Sequence, residues 1–277
     1  MMRQSKHLDR DQQLPKWREE IKEKIEEDLA GDPFVLAVFY GESVGKGTSD
    51  LYSDIDLRVI VADEVFDRYR EEKHVRANRW GDVLFIEEVP YSSYTTIHYD
   101  NFIKVDLFQY RLKDIFPSFW FQHIEVFYDA TGMLEDVVKK SLALKFEPTV
   151  EDIDYWRTKF FAALHELYRR VMRSEYYYAL NLLDTMRFLM TVGWDMEAGR
   201  QPNALGDWAK IEGARSKLEQ WQLERLAEWG STRNGEEILF AAEKVVAEFK
   251  ALHASLCENV GIEVDEVWVE SIIRKVL

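Results

Sequence analysis

The sequence YGESVGKGTSDLYSDIDLRVI, residues 40–60, joins a loop rich in glycine and hydroxyl side chains to an apolar run. Asp54 and Asp56 stand at the start of that run, and alternate residues of a strand point to the same side. The two carboxylates are therefore predicted to converge, while Ile55 and Leu57 turn into a core. Converging carboxylates suit a hard cation such as Mg²⁺. The alternative is that both carboxylates are solvated at the end of a loop.

The loop before the carboxylate pair has the composition of a phosphate-binding loop. Gly41 and the glycines after it let the backbone approach a ligand closely, and successive N–H groups in such a turn can hold phosphate oxygens. Ser43 and Thr48 add hydroxyl donors. A P-loop of the type G-x-x-x-x-G-K-[ST] is excluded, because Lys46 stands where its second glycine would be.

The pattern of apolar residues changes along the chain. Short apolar or alternating runs up to about residue 130 predict strands, and an amphipathic helix over about residues 14–29 precedes them. From about residue 149 apolar residues recur at helical spacing, with Thr149 as the predicted N-cap. We therefore predict an α+β protein, with a mixed sheet in residues 1–140 and a helical bundle in residues 141–277. The predicted strands are 34–40, 55–61, 83–87, 94–98, 102–110 and 125–128, and the later helices are about 215–229, 235–256 and 264–276.

The amino-acid composition narrows the classes of protein to which the chain can belong. The 277 residues include 36 Lys or Arg and 51 Asp or Glu, which gives a formal net charge of −15. This balance argues against nucleic acid as a partner and suits a cationic ligand, since proteins that grip phosphate backbones usually carry a basic face. The sequence shows neither a membrane span nor a secretory signal. With Cys257 as the single cysteine, a cytoplasmic protein is expected.

The loop and the carboxylate pair together resemble the nucleotidyltransferase superfamily, which includes aminoglycoside and lincosamide adenylyltransferases and polymerase-β-like enzymes. The segment Ser43–Thr48 (SVGKGT) resembles the family's Gly-Ser phosphate loop, and Tyr52–Leu57 (YSDIDL) resembles its Asp-x-Asp strand. A small mixed sheet followed by a helical bundle also resembles these enzymes. One departure is that Glu42 stands where the family has glycine. This leaves open an unusual substrate or weak nucleotide binding.

The resemblance implies an activity and a set of catalytic groups. The activity is transfer of a nucleoside monophosphate, AMP from ATP, to a hydroxyl of a small acceptor, with release of pyrophosphate. Asp54, Asp56 and a third carboxylate would hold Mg²⁺. Asp106, which shares a strand face with Lys104, is the candidate for the third carboxylate and for the group that accepts the hydroxyl proton. The alternative is that Asp106 is an ordinary exposed residue on an edge strand.

The resemblance also implies further site residues. Some relatives use a carboxylate on an early helix of the bundle as a general base, and Glu166 is the candidate by position. Its alternative is a solvent-facing residue paired with Arg169 or Arg170. The residues implied to bind the nucleotide are Gly41, Ser43, Lys46, Thr48 and Ser53.

The acceptor stays open at this stage. An aminoglycoside-like molecule, as in antibiotic resistance, suits the acidic charge of the chain. An antitoxin-type enzyme would instead modify a protein or an RNA, and a regulatory module would bind nucleotide without catalysis. A homodimer is a further open alternative, because some relatives place acceptor sites at dimer interfaces.

Overall fold

The computed structural model describes residues 5–41, 45, 47–88, 92 and 94–277. The chain divides into two compact units, Met1–Leu144 and Lys145–Leu277. The predicted α+β class is confirmed, because the first unit contains a six-stranded mixed sheet and the second is built from helices. Among the described residues, no helix combines the length and the apolar character that a membrane span requires.

The sheet of the first unit follows the sequence pattern closely. In its order β3-β4-β5-β2-β1-β6, only the pair β2–β5 is parallel, and the other neighbouring pairs are antiparallel. Every strand lies within two residues of its predicted span. The strands are β1 (Val35–Tyr40), β2 (Ile55–Val61), β3 (Val83–Glu87), β4 (Tyr94–Tyr99), β5 (Lys104–Arg111) and β6 (Glu125–Asp129).

Helices cover one whole face of the central strand β2. Ile55, Leu57, Val59 and Val61 point to this face and belong to a core with residues of the covering helices. Burial of these branched side chains stabilises the central strand, because each removes a large apolar surface from water. The helices of this part of the chain are α1 (Leu8–Asp11), α2 (Leu14–Ala30), α3 (Phe66–Glu71) and α4 (Lys73–Trp80).

The opposite face of the sheet carries a second core near one end of β2. Ile60, near the carboxyl end of β2, packs in a second core with Phe39, Phe121 and Leu134, the last from helix α5 (Met133–Leu142). The residues at the start of β2 lie outside this core, and the Asp54 side chain is 32% exposed. The fold therefore leaves Asp54 partly exposed on this sheet face, whereas Asp56 is buried, at 9% exposure.

The second unit confirms the predicted bundle, with two corrections at helix ends. Thr149 Oγ1 accepts a hydrogen bond from Asp152 N, so the predicted N-cap is present. The helix predicted over 215–229 begins only at Gln220, because Glu219 and Gln222 form a capping box there. The helix predicted over 264–276 is shorter at both ends. The helices are α6 (Val150–Met172), α7 (Tyr176–Glu197), α8 (Gln220–Glu228), α9 (Gly235–Asn259) and α10 (Glu266–Ile273).

A buried histidine lies in the core of the bundle. His253 of α9 is 1% exposed, and its Nε2 lies 3.4 Å from Cys257 Sγ and 3.5 Å from Arg157 Nη1. Arg157 is in turn paired with Asp154. Burial, together with the charge of Arg157, lowers the pKa of His253 to about 4. The folded protein therefore holds this imidazole neutral at pH 7.

The buried imidazole should make the protein less stable in acid. From its ordinary pKa of 6.5 down to about 4, the unfolded chain binds a proton that folded His253 excludes, so stability falls as pH falls. The loss from pH 7 to pH 5 should be about 2 kcal/mol in the free energy of unfolding. Urea unfolding at both pH values should show this loss reduced in His253→Gln. The exposed control His7→Gln should behave like the wild type, and an undiminished loss in His253→Gln would contradict the assignment.

Candidate active site

Three predicted carboxylates lie at one end of the parallel pair β2–β5. Asp56 and Asp106 are direct partners in the register of that pair. Neighbouring strands are about 4.8 Å apart, so these side chains leave the sheet side by side. Asp54 directly precedes β2 and reaches towards β5, where its Oδ2 lies 2.6 Å from Lys104 Nζ. The alternation predicted from the sequence therefore gathers the carboxylates in one small area.

Lys104 joins two of these carboxylates. Besides its contact with Asp54, its Nζ lies 2.9 Å from Asp106 Oδ2. Partial burial works against the charge, but the hydrogen bonds and the attraction of Asp54 and Asp106 outweigh it, so the pKa of Lys104 is raised. The Lys104 side chain is therefore charged, and it lies between Asp54 and Asp106.

Asp106 is held from a second side. Thr96 lies opposite it in the β4–β5 register and donates a hydrogen bond of 2.6 Å from Oγ1 to Asp106 Oδ1. Strand β5 lies between β4 and β2, and the Asp106 side chain is 17% exposed. The alternative of an exposed residue on an edge strand is therefore wrong. Its carboxylate has a fixed orientation, with each oxygen accepting from a different donor.

The three carboxylates are of the kind that bind hard cations, although the Lys104 ammonium lies between two of them. Among the residues that the structure describes, no group of three or more His, Cys, Asp or Glu is arranged to hold a metal ion. At this face the Lys104 ammonium lies between two of the three predicted ligands. Oxygens of Asp54 and Asp106 nevertheless already converge on one cationic nitrogen. Carboxylate oxygens are the ligands that a hard cation such as Mg²⁺ prefers.

The start of the glycine loop is hydrogen-bonded to the backbone of strand β2. Gly41 N donates to the carbonyl of Asp56 at 3.0 Å, and Gly45 N donates to the carbonyl of Gly41 at 3.1 Å. A Cβ on Gly41 would lie 2.9 Å from Arg58 Nε, and one on Gly45 would lie 2.5 Å from the carbonyl oxygen of His123. Real side chains essentially never approach that closely. Close packing against backbone atoms therefore requires glycine at position 45, whereas at position 41 the Arg58 guanidinium would have to move.

Arg58 is a site residue that the sequence analysis missed. It is 5% exposed, its guanidinium lies 5.1 Å from the ring centroid of Phe108, and its Nε has no hydrogen-bond partner among the described residues. It stands two positions after Asp56, so strand alternation puts it on the same face. That spacing was the signal that could have identified it. The residue brings a buried positive charge next to Gly41.

Two predicted nucleotide ligands have different surroundings. The Ser53 hydroxyl accepts from Asp50 N at 2.8 Å and donates to Asp50 Oδ1 at 3.1 Å. Arg18 of α2 donates to the carbonyls of Asp50 and Ser53, at 3.1 and 2.9 Å. The Ser53 side chain thus stabilises the turn before Asp54. The Thr48 side chain is exposed. The predictions for Ser43 and Lys46, and the departure at Glu42, lie outside the described residues.

Glu166 forms the salt bridges given as its alternative. Arg170 Nε donates to its Oε1 at 2.6 Å, and Arg169 Nη1 donates to its Oε2 at 3.4 Å. The hydrogen bond from Arg170, followed by the charges of both arginines, lowers the pKa of Glu166. A carboxylate paired with two arginines is a poor proton acceptor, so its surroundings do not favour Glu166 as a general base.

Comparison with known proteins finds solved structures that are distantly similar to the chain. No protein-family model matches the chain, and a search of curated proteins gave no significant match. The chain is similar to an aminoglycoside 6-adenyltransferase from Bacillus subtilis, with 12% identity over 94% of this chain and 97% of that chain and a TM-score of 0.44. It is also similar to a nucleotidyltransferase-like protein from Exiguobacterium sibiricum, with 13% identity over 87% of this chain and 78% of that chain and a TM-score of 0.40. Because these values are low, function is inferred below from the site itself.

Proposed function

We propose that the protein is a nucleotidyltransferase that moves a nucleoside monophosphate, AMP from ATP, to a hydroxyl of a small cationic acceptor and releases pyrophosphate. One observation carries the proposal. Oxygens of Asp54 and Asp106 converge on a single cationic nitrogen, with Asp56 beside Asp106 in the strand register. The glycine loop begins next to the strand that carries Asp56, because Gly41 N donates to the backbone carbonyl of Asp56.

Each group of the site has a role in this reaction. Asp54, Asp56 and Asp106 would hold a divalent cation such as Mg²⁺, which supplies charge compensation for the phosphates and for the attacking and leaving oxygens when bound. Backbone N–H groups of the loop would bind phosphate oxygens. The buried guanidinium of Arg58 would add a fixed positive charge below the loop.

Asp106 would also accept the proton of the acceptor hydroxyl. Thr96 fixes one of its oxygens at 2.6 Å, so the carboxylate keeps one orientation as the acceptor arrives. A positioned carboxylate of this kind typically contributes about 10²–10⁴-fold to the rate of such a step. The formal charge of −15 favours a cationic acceptor such as an aminoglycoside, through long-range attraction.

Product analysis tests the proposal. The purified protein is incubated with Mg²⁺ and each nucleoside triphosphate, across a panel of aminoglycosides and lincosamides, while pyrophosphate release and product mass are measured. We expect an acceptor heavier by one nucleoside monophosphate, with ATP as the best donor. Asp54→Ala should lose this activity. The control Asp100→Ala, at an exposed position of the β4–β5 turn, should keep it.

Failure would have a different meaning at each step. If the protein binds nucleotide but modifies no member of the panel, the small cationic acceptor is wrong, and a protein or RNA acceptor is tested next. If it binds no nucleoside triphosphate, nucleotidyl transfer itself is wrong. Activity that survives Asp54→Ala would reject the carboxylate site.

A further inference from the structure

Lys104 occupies the place where the proposed function requires a divalent cation. Its Nζ lies 2.6 Å from Asp54 Oδ2 and 2.9 Å from Asp106 Oδ2, which are distances of charge-assisted hydrogen bonds. A divalent cation bound by the same two oxygens cannot share that place with an ammonium group, because both the space and the like charges exclude it. One cation must therefore leave before the other binds.

The Lys104 ammonium can leave while its partner Asp106 stays in place. Its side chain is 37% exposed and ends a flexible four-carbon stem, so the ammonium can move without any change in strand β5. Asp106, by contrast, is 17% exposed and is held at its other oxygen by Thr96. The site can thus exchange its cation while Asp106 keeps its position.

The charges of the site decide when this exchange is favourable. Without nucleotide, Lys104 offsets part of the negative charge of Asp54, Asp56 and Asp106. A divalent cation that binds without nucleotide must break the two hydrogen bonds of the Lys104 ammonium and transfer that group into water. A nucleoside triphosphate brings several negative charges next to the site, so it offers the displaced ammonium a new partner. Binding of nucleotide should therefore favour the exchange.

We propose that Lys104 acts as a resident cation that couples metal binding to nucleotide binding. In the free protein it holds Asp54 and Asp106 in place and weakens their affinity for a divalent cation. When triphosphate and cation arrive together, the ammonium moves to the phosphates and the cation takes its position. Lys104 is thus a positioning residue, and this inference rests on the proposed function.

Direct measurement of Mn²⁺ binding tests the inference without any activity assay. Electron paramagnetic resonance reports free Mn²⁺ in titrations of the full chain with and without a non-hydrolysable ATP analogue. Without nucleotide, Lys104→Met should bind Mn²⁺ at least about tenfold more tightly than the wild type, because a nearby unit charge commonly shifts such equilibria by one to three powers of ten. With the analogue this gain should disappear. Lys104→Arg keeps the charge and should bind Mn²⁺ as weakly as the wild type.

The outcomes separate this inference from the proposed function. Asp54→Ala in the Lys104→Met background should abolish the gained affinity, which locates the ion between these side chains. Equal Mn²⁺ affinities of wild type and Lys104→Met without nucleotide would overturn the role of Lys104 and leave the metal site standing. Absence of Mn²⁺ binding in all variants, with and without the analogue, would overturn the metal site and the inference together.

Discussion

The substitution Asp106→Asn should lower the rate of nucleotidyl transfer by about a thousandfold or more, while the protein stays folded. The amide side chain would keep the size of the native one and an oxygen that can accept from Thr96, which now donates to Asp106 Oδ1 at 2.6 Å. It would remove the negative charge that holds the cation and the oxygen that accepts a proton. The measurement is pyrophosphate release under saturating nucleotide and acceptor.

A matched variant separates catalysis from folding in this experiment. Asp100→Asn makes the same chemical change on an exposed residue of the turn before β5 and should keep full activity. Circular dichroism and urea unfolding should show both variants folded. Retention of more than about a tenth of wild-type activity by Asp106→Asn would contradict its role, because a general base and cation ligand contributes far more.

The substitution Gly45→Ala should weaken binding of the nucleoside triphosphate by at least about tenfold. The added Cβ would lie 2.5 Å from the carbonyl oxygen of His123 and 2.8 Å from Cα of Ile124, so backbone must move to admit it. Overpacking of this kind typically costs about 1–3 kcal/mol, and either the loop or the segment before β6 must shift. A displaced loop loses its alignment with Asp56. The dissociation constant for ATP, measured by calorimetry with Mg²⁺, reports the effect.

Gly47 provides the contrast for this prediction. Its Cβ position has no neighbour within 4 Å, and its φ of 62° is in the left-handed region. Gly47→Ala should therefore cost only about 1–2 kcal/mol of backbone strain without a collision. The ATP affinity of Gly47→Ala should therefore be nearer to the wild-type value than the ATP affinity of Gly45→Ala. Equal affinities of all three proteins would show that the packing of Gly45 does not matter for the nucleotide.

The strands could be predicted from the sequence because their signal is local. Residues 55–61 alternate between two buried faces and follow a turn-rich loop, and β2 occupies that span. Helix ends were harder to predict. The helix expected over 215–229 begins at Gln220, since the capping box of Glu219 and Gln222 starts it later than the apolar pattern suggests. Periodicity defines the face of a helix better than its ends.

The carboxylates of the site could also be predicted, but their partners could not. Asp54 and Asp56 follow from strand alternation, and Asp106 from a resemblance and its strand context. The contact between Lys104 and Asp54 depends on the parallel pairing of β2 with β5. The bond from Thr96 depends on the pairing of β4 with β5. Such long-range registers are set by the whole sheet and are not encoded in either strand alone.

The surroundings of one predicted nucleotide ligand, Ser53, were not foreseen from the sequence. The resemblance implied Ser53 as one of the nucleotide-binding residues. In the structure its hydroxyl closes a turn with Asp50, and Arg18 fixes the carbonyls of both residues. Serine and aspartate commonly bond to nearby backbone groups in this way. An Asp-x-x-Ser spacing before a strand was a readable signal for a turn.

The most direct test of the site is a crystal structure of the protein with Mn²⁺ and a non-hydrolysable nucleoside triphosphate. We predict an anomalous scattering peak bound by oxygens of Asp54, Asp56 and Asp106, with the triphosphate against the loop that begins at Gly41 and the Lys104 ammonium moved onto the phosphates. A nucleotide bound elsewhere on the protein, or Mn²⁺ without contact to these three carboxylates, would contradict the proposed nucleotidyltransferase site.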